Sequence, residues 1–156
     1  MKHFLVGLIF GFLCCPNVQP ENIKEEKNSD NNVFYYSLPT SGDSICIAWV
    51  LDSEARGESL RGGRAVLDVV LSRMHLRHKS ACEVVRERGQ FSGYTRKTKI
   101  RVTEKMLTRA EEIYNMEPVF RSDCEYFHNT SVNPNWKGMA FCAKIGKHKF
   151  YRRKYV

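Results

Sequence analysis

The sequence predicts an α+β domain with N-terminal helices followed by a small antiparallel sheet. Three observations carry that prediction. Apolar residues recur at helical spacing as far as Tyr114, the pattern turns to alternation around Phe141, and cap or turn residues stand at the boundaries.

Taken in order, Asp43 or Ser44 is expected to cap a first helix through Ile45, Ala48, Trp49 and Leu51, stopped at Gly57. Ser59 caps a second, in which Ala65, Val66, Val69, Val70 and Arg73 share helical spacing. Ser80 and Glu83 form a capping box for a short third helix through Val84 and Val85, ended by Gly89. Thr103 caps a fourth, carrying Met106, Leu107, Ala110, Ile113 and Tyr114, with Pro118 beyond its end. Tyr126-Phe127-His128 reads as a strand. Phe141, Ala143 and Ile145 alternate with Cys142 and Lys144, as in a half-buried strand. Gly146-Lys147 makes a two-residue turn with Gly first, and the chain returns through His148, Phe150 and Tyr151.

The chain has 156 residues and a formal net charge of +8. That length allows one ordinary domain. The charge draws the protein to anionic polymers without choosing among nucleic acid, lipid and cell wall. Lys2 and His3 followed by the apolar run Phe4 to Leu13 resemble a secretory leader, too short to span a bilayer comfortably. Residues 1–16 are therefore expected to be a leader, and the leader also offers a membrane tether. Cys14 or Cys15 is a second option as a lipid-attachment site, although Gly11-Phe12-Leu13 matches that signal poorly. The competing reading is a buried N-terminal helix, against which Pro16 and the polar stretch behind it argue. Residues 17–42, rich in Asn, Glu, Lys and Ser, read as a flexible linker, and 43–156 as the domain. Outside the leader stand Cys46, Cys82, Cys124 and Cys142. Export makes two disulfides the expectation, with three pairings open. No Cys-x-x-Cys pair supports zinc.

The candidate catalytic residue is Glu54. Ile47, Val50 and Leu51 precede it at helical spacing, so it projects from an apolar face. Burial and the negative end of the helix both favour its protonated form, which a general acid needs. The bland alternative is a helix-end carboxylate paired with Arg56 or turned to water. Glu58, past Gly57, reads as a structural partner for an arginine.

Glu54-Ala55-Arg56-Gly57-Glu58, then Ala65-Val66 and Val69-Val70-Leu71-Ser72-Arg73, resemble the start of a SleB/CwlJ-type cell-wall hydrolase domain. Cys82-Glu83-Val84-Val85, Gln90-Phe91-Ser92, Tyr126-Phe127-His128-Asn129, Asn133-Pro134-Asn135-Trp136 and Ile145-Gly146-Lys147-His148-Lys149-Phe150-Tyr151 continue it in order. Two positions depart, with Ser72 where the family has Asn and Gly63 where it has a Gln-like residue. These departures put local packing or a supporting hydrogen bond in question. The chain lacks the separate wall-binding domain of many spore-associated members, so a role in germination does not follow.

The resemblance implies a lysozyme-like fold and cleavage between N-acetylmuramic acid and N-acetylglucosamine. It implies a lytic transglycosylase with Glu54 as its one acid/base residue. Peptidoglycan glycan strands are then the partner, the chain acting as an exported monomer with no cofactor or metal. Gln90, Phe91, Tyr126, His128, Asn129, Trp136 and Tyr151 are expected to line the glycan cleft, although each aromatic is also a candidate for the core. A hydrolase would need a second carboxylate, for which Asp52, Asp123 and Glu125 are the candidates. A non-catalytic wall-binding module is the rival of the same fold. A nucleic-acid binder is not expected, since Arg96, Lys97, Lys99 and Arg101 read as a solvated loop. Nor is an amidase, which needs zinc ligands or a Cys–His pair.

Overall fold

The computed structural model describes residues 41–154 except 92, 96 and 121–123. The leader, most of the linker and Asp123 lie outside the described residues. Four helices, α1 (Ser41–Ala55), α2 (Leu60–Arg77), α3 (Ala81–Arg86) and α4 (Glu104–Tyr114), precede three strands. These are β1 (Tyr126–Asn129), β2 (Met139–Ile145) and β3 (His148–Arg153), joined antiparallel in the order β1-β3-β2. No described helix is long and apolar enough to cross a membrane.

The core lies around α2, whose residues from Gly62 to Arg73 are all buried. Val50 and Leu51 of α1, Val84 and Val85 of α3, Ile113 of α4 and Phe150 of β3 close on it. Three caps form where the local sequence places them. Ser59 Oγ accepts from the Gly62 amide at 3.2 Å, Ser80 and Glu83 form the reciprocal box, and Thr103 Oγ1 accepts from the Met106 amide at 3.3 Å.

The expected cap of α1 is different. Its helix starts at Ser41, so Asp43 lies inside the first turn. The Asp43 carboxylate instead accepts from the amide of Ala81 at 2.7 Å and from that of Cys82 at 3.4 Å. It thus serves the open N-terminus of α3, a long-range cap with the same electrostatic logic. Cys46–Cys82 bonds the same two helices, and Cys124–Cys142 joins the approach to β1 to β2. The expected disulfides are present, in one of the three open pairings.

Gly63 explains one sequence departure. A Cβ there would stand 2.6 Å from Cδ1 of Ile113, so α4 approaches α2 more closely than a larger residue would allow. The C-terminus of α4 is held by Arg64, which donates to the carbonyls of Ile113, Tyr114 and Met116. Asp68, one turn on, accepts Nε of Arg64 at 2.8 Å and the amides of Val119 and Phe120 at 2.7 and 3.1 Å. Burial pushes the Asp68 carboxyl up from its ordinary range, against the pull of Arg64 and the two amides. Its three donors are those of an ionised carboxylate.

In β2 the expected alternation fails at one residue. The register with β3 slips between Phe141 and Ala143, leaving Cys142 as the bulged residue, bonded to Cys124. Phe141, expected inward, is 59% exposed and turns its ring toward Tyr151.

Candidate active site

Glu54 stands in the last turn of α1 and is half-buried, less enclosed than its apolar spacing suggests. Arg56 is not its partner. That guanidinium turns back one turn to Asp52, with Nε–Oδ1 at 3.0 Å and a second contact through Nη2. The carboxylate of Glu54 lies close enough to His148 to act on the charge of its imidazole, as does Glu58.

Glu58 departs most from its sequence reading. Its side chain is only 7% exposed, and its carboxylate faces no arginine but the β2–β3 turn. The Lys147 amide points at both oxygens, 3.3 Å from each, and Nδ1 of His148 is 3.8 Å from Oε1. The turn permits this because Gly146 has φ +54° and no side chain. A Cβ there would fall 1.8 Å from Oε2 of Glu58. Arg109 donates to the carbonyls of Ala55 and Glu58 and not to the Glu58 carboxylate. Gly146→Ala should therefore destabilise the protein by about 1–3 kcal/mol, from left-handed strain plus displacement of Glu58. Urea unfolding measures it, and a change under 0.5 kcal/mol would remove the Glu58–turn contact from the account.

His148 is buried against Phe127, their rings meeting edge to face at 5.2 Å. Burial lowers its pKa below the ordinary histidine value, Glu58 and Glu54 pull it back up, and the His128 charge lowers it. The native state therefore takes up a proton less readily than the unfolded chain. The contribution of His148 to stability is complete above pH 6.5 and declines as pH falls from there toward its folded pKa. Thermal midpoints from pH 7.5 to pH 5.5 should fall more for the natural chain than for His148→Gln. Parallel curves would contradict the assignment.

The predicted cleft residues separate into groups. Tyr126 and His128 share one side of β1, and Tyr151 lies on the same side of β3 opposite Tyr126, with Tyr126 and Tyr151 partly exposed and His128 buried. The His128 ring stacks on Tyr151 at 5.4 Å and 17°, with Nε2 3.3 Å from the Tyr151 hydroxyl. Trp136 meets His128, Tyr126 and Tyr151 edge-on at 5.4, 6.1 and 5.6 Å. These four make one aromatic face, with the Trp136 ring exposed. Gln90 lies beyond Tyr126, lining a separate pocket with Leu76, Arg77, Glu125 and Arg153. Asn129 is exposed at the end of β1, its Oδ1 accepting from the Ser131 amide. Phe91 is 2% exposed and packs in the core against Phe127.

Two residues not among the expected site residues prove structurally central. Arg73 is 3% exposed, donates Nε to the Glu125 carbonyl at 2.7 Å, and lies over the rings of Phe91 and Tyr126. Its pKa is pushed down to about 10 by burial and by the neighbouring charge of Arg77. His148 is the other. Its signal was the glycine two residues earlier, which opens room for a carboxylate beside the strand.

Among the described residues no group of three or more His, Cys, Asp or Glu is arranged to hold a metal ion. Residues 57–151 match the Cell Wall Hydrolase family, a span that begins just after Glu54. Two solved structures share the fold. The catalytic domain of the germination-specific lytic transglycosylase SleB from Bacillus anthracis aligns with TM-score 0.55 and 23% identity, covering 71% of this chain and 94% of that one. The catalytic domain of the Bacillus cereus SleB protein aligns with TM-score 0.57 and 21% identity, covering 80% of this chain and 98% of that one. No curated protein matches. The fold is accordingly the lysozyme-like α+β arrangement of those domains. With the family's pattern running from the α1–α2 loop into the last strand, the chain belongs to the Cell Wall Hydrolase family.

Proposed function

We propose that the protein is an exported lytic transglycosylase that cleaves peptidoglycan between N-acetylmuramic acid and N-acetylglucosamine, with Glu54 as acid and then base. The observation that carries this reading is the position of Glu54, half-buried in the last turn of α1, immediately before the stretch from residue 57 that matches the Cell Wall Hydrolase family. The aromatic face is a surface on which sugar rings can stack. Glu54 would protonate the glycosidic oxygen as the muramic ring passes through an oxocarbenium-like state. Its carboxylate would then take the proton of the 6-hydroxyl as that oxygen closes on C1, giving an anhydro end without water.

Among the described residues the neighbouring carboxylates support a one-carboxylate scheme. Asp52 is paired with Arg56 on the outside of α1. Glu125 is buried and bonded to Arg77 at 3.1 Å. Glu58 is enclosed between Gly62 and the Gly146-Lys147 turn, where a sugar cannot reach it. The two disulfides fit an oxidising compartment outside the cytoplasm, where the wall lies. The test is mass spectrometry of fragments released from purified peptidoglycan. Anhydromuramic ends support the proposal, reducing muramic ends would make the protein a hydrolase, and no release by folded protein would favour a wall-binding module.

A further inference from the structure

We propose that the pocket lined by Leu76, Arg77, Gln90, Glu125, Tyr126 and Arg153 is a subsite for a carboxylate of the peptide stem carried by the glycan strand. The inference rests on the peptidoglycan reading above and adds to it a preference for strands that keep their peptides.

The pocket measures about 470 Å³ and is mostly polar. Among the described residues its lining carries two guanidiniums and one carboxylate. Arg77 and Arg153 are in its wall. Behind the wall lies Arg73, bonded to the Glu125 carbonyl and placed over the Tyr126 ring at 5.9 Å. Glu125 supplies one negative charge, already engaged by Nη2 of Arg77, while Glu87 takes the other side of that guanidinium. Three guanidiniums thus converge on Glu125 and Tyr126. Nη1 of Arg73 is buried with no hydrogen-bond partner. Burial and, after it, the charge of Arg77 lower the pKa of Arg73, and an anion in the pocket adds to the opposing pull of Glu87 and Glu125. The Gln90 amide beside them suits the neutral peptide group next to such a carboxylate.

Tyr126 connects this pocket to the proposed glycan surface. Its ring meets Trp136 at 6.1 Å, and its hydroxyl accepts Nε of Arg153 at 2.7 Å. A sugar on the aromatic face therefore has its neighbouring substituent at the mouth of the pocket. In peptidoglycan the charged substituent is the lactyl-linked peptide of muramic acid, with free carboxylates along it. A guanidinium recognises a planar carboxylate through two parallel hydrogen bonds, and Arg153, with Arg77 held by Glu87 and Glu125, is the one assigned that contact.

The experiment uses the full chain with Glu54→Gln, so that strands are held and not cut. Equilibrium binding is measured to soluble strands with intact peptides, with peptide carboxylates amidated, and with peptides removed. Intact strands should bind about tenfold more tightly than either other preparation, as one or two charge-assisted hydrogen bonds provide. Adding Arg153→Gln should bring that ratio close to one, and Arg153→Lys should keep a large part of it. Gln90→Glu, which places a like charge at the wall without touching the Arg153–Tyr126 bond, should reverse the preference. Equal binding of all three strands by the parent chain would overturn the subsite. So would a preference that survives amidation. Since the readout is binding, failure of the natural chain to cut any strand would count against the glycosidase reading alone.

Discussion

Glu54→Gln is expected to lower the release of soluble fragments from peptidoglycan by about 10²–10⁴-fold, the usual worth of a positioned general acid. Gln has the shape of Glu and cannot deliver a proton to a glycosidic oxygen. Because Glu54 is half-buried at a helix end, the substitution should leave stability within about 0.5 kcal/mol. The loss would then be chemical and not structural. Asp52→Asn is the matched control. It stands one turn from the helix end, in an exposed pair with Arg56, where such pairs contribute little. Its activity should remain within about twofold of the natural chain's, well short of the loss a general acid represents. Residual cutting above one part in ten by Glu54→Gln would remove Glu54 from the acid role. A comparable loss in Asp52→Asn would move the search to the other side of α1.

The second large effect is on folding. Arg64→Ala should cost about 3–5 kcal/mol, as breaking a buried ion pair does. Arg64 and Asp68 are 5% and 1% exposed at their side chains, so neither charge finds water when the other is removed. The Ala variant also deprives the last carbonyls of α4 of their donor. Against a typical total of about 5–15 kcal/mol, a loss of that size brings the protein near its unfolding threshold. Asp68→Ala should be similar in size, since it leaves the Val119 and Phe120 amides unmatched. Urea unfolding monitored by circular dichroism decides the matter. A cost below about 1 kcal/mol in both variants would mean that the pair is solvated in solution.

These buried bonds mark where sequence reading stops. Ser59, Ser80 with Glu83, and Thr103 were legible because a cap and the amide that donates to it lie within one turn. The strand residues were legible by alternation, and Gly146-Lys147 by its turn chemistry. Asp43 was misread because the amides that donate to it are on α3, 38 and 39 residues away. Glu58 meets Lys147 across 89 positions, and no local pattern encodes that meeting. Phe141 was expected inward because alternation carries no sign of a bulge. Of the proposed cleft residues, Tyr126, His128, Trp136 and Tyr151 were named together through motif resemblance, and the fold does bring their rings together. Phe91, from the same resemblance, lies in the core, since an aromatic beside a motif has no local feature that says which way it faces.

The two crosslinks each stay on their own side of the molecule. Cys46–Cys82 holds helix to helix, and Cys124–Cys142 fastens the sheet to its own approach. Across the seam, the described contacts include the Arg73 bond to Glu125 and the seat of Glu58 beneath the hairpin. Neither disulfide spans that seam, so among the described residues the sheet is held to the helices by non-covalent contacts, the buried Phe150 ring foremost.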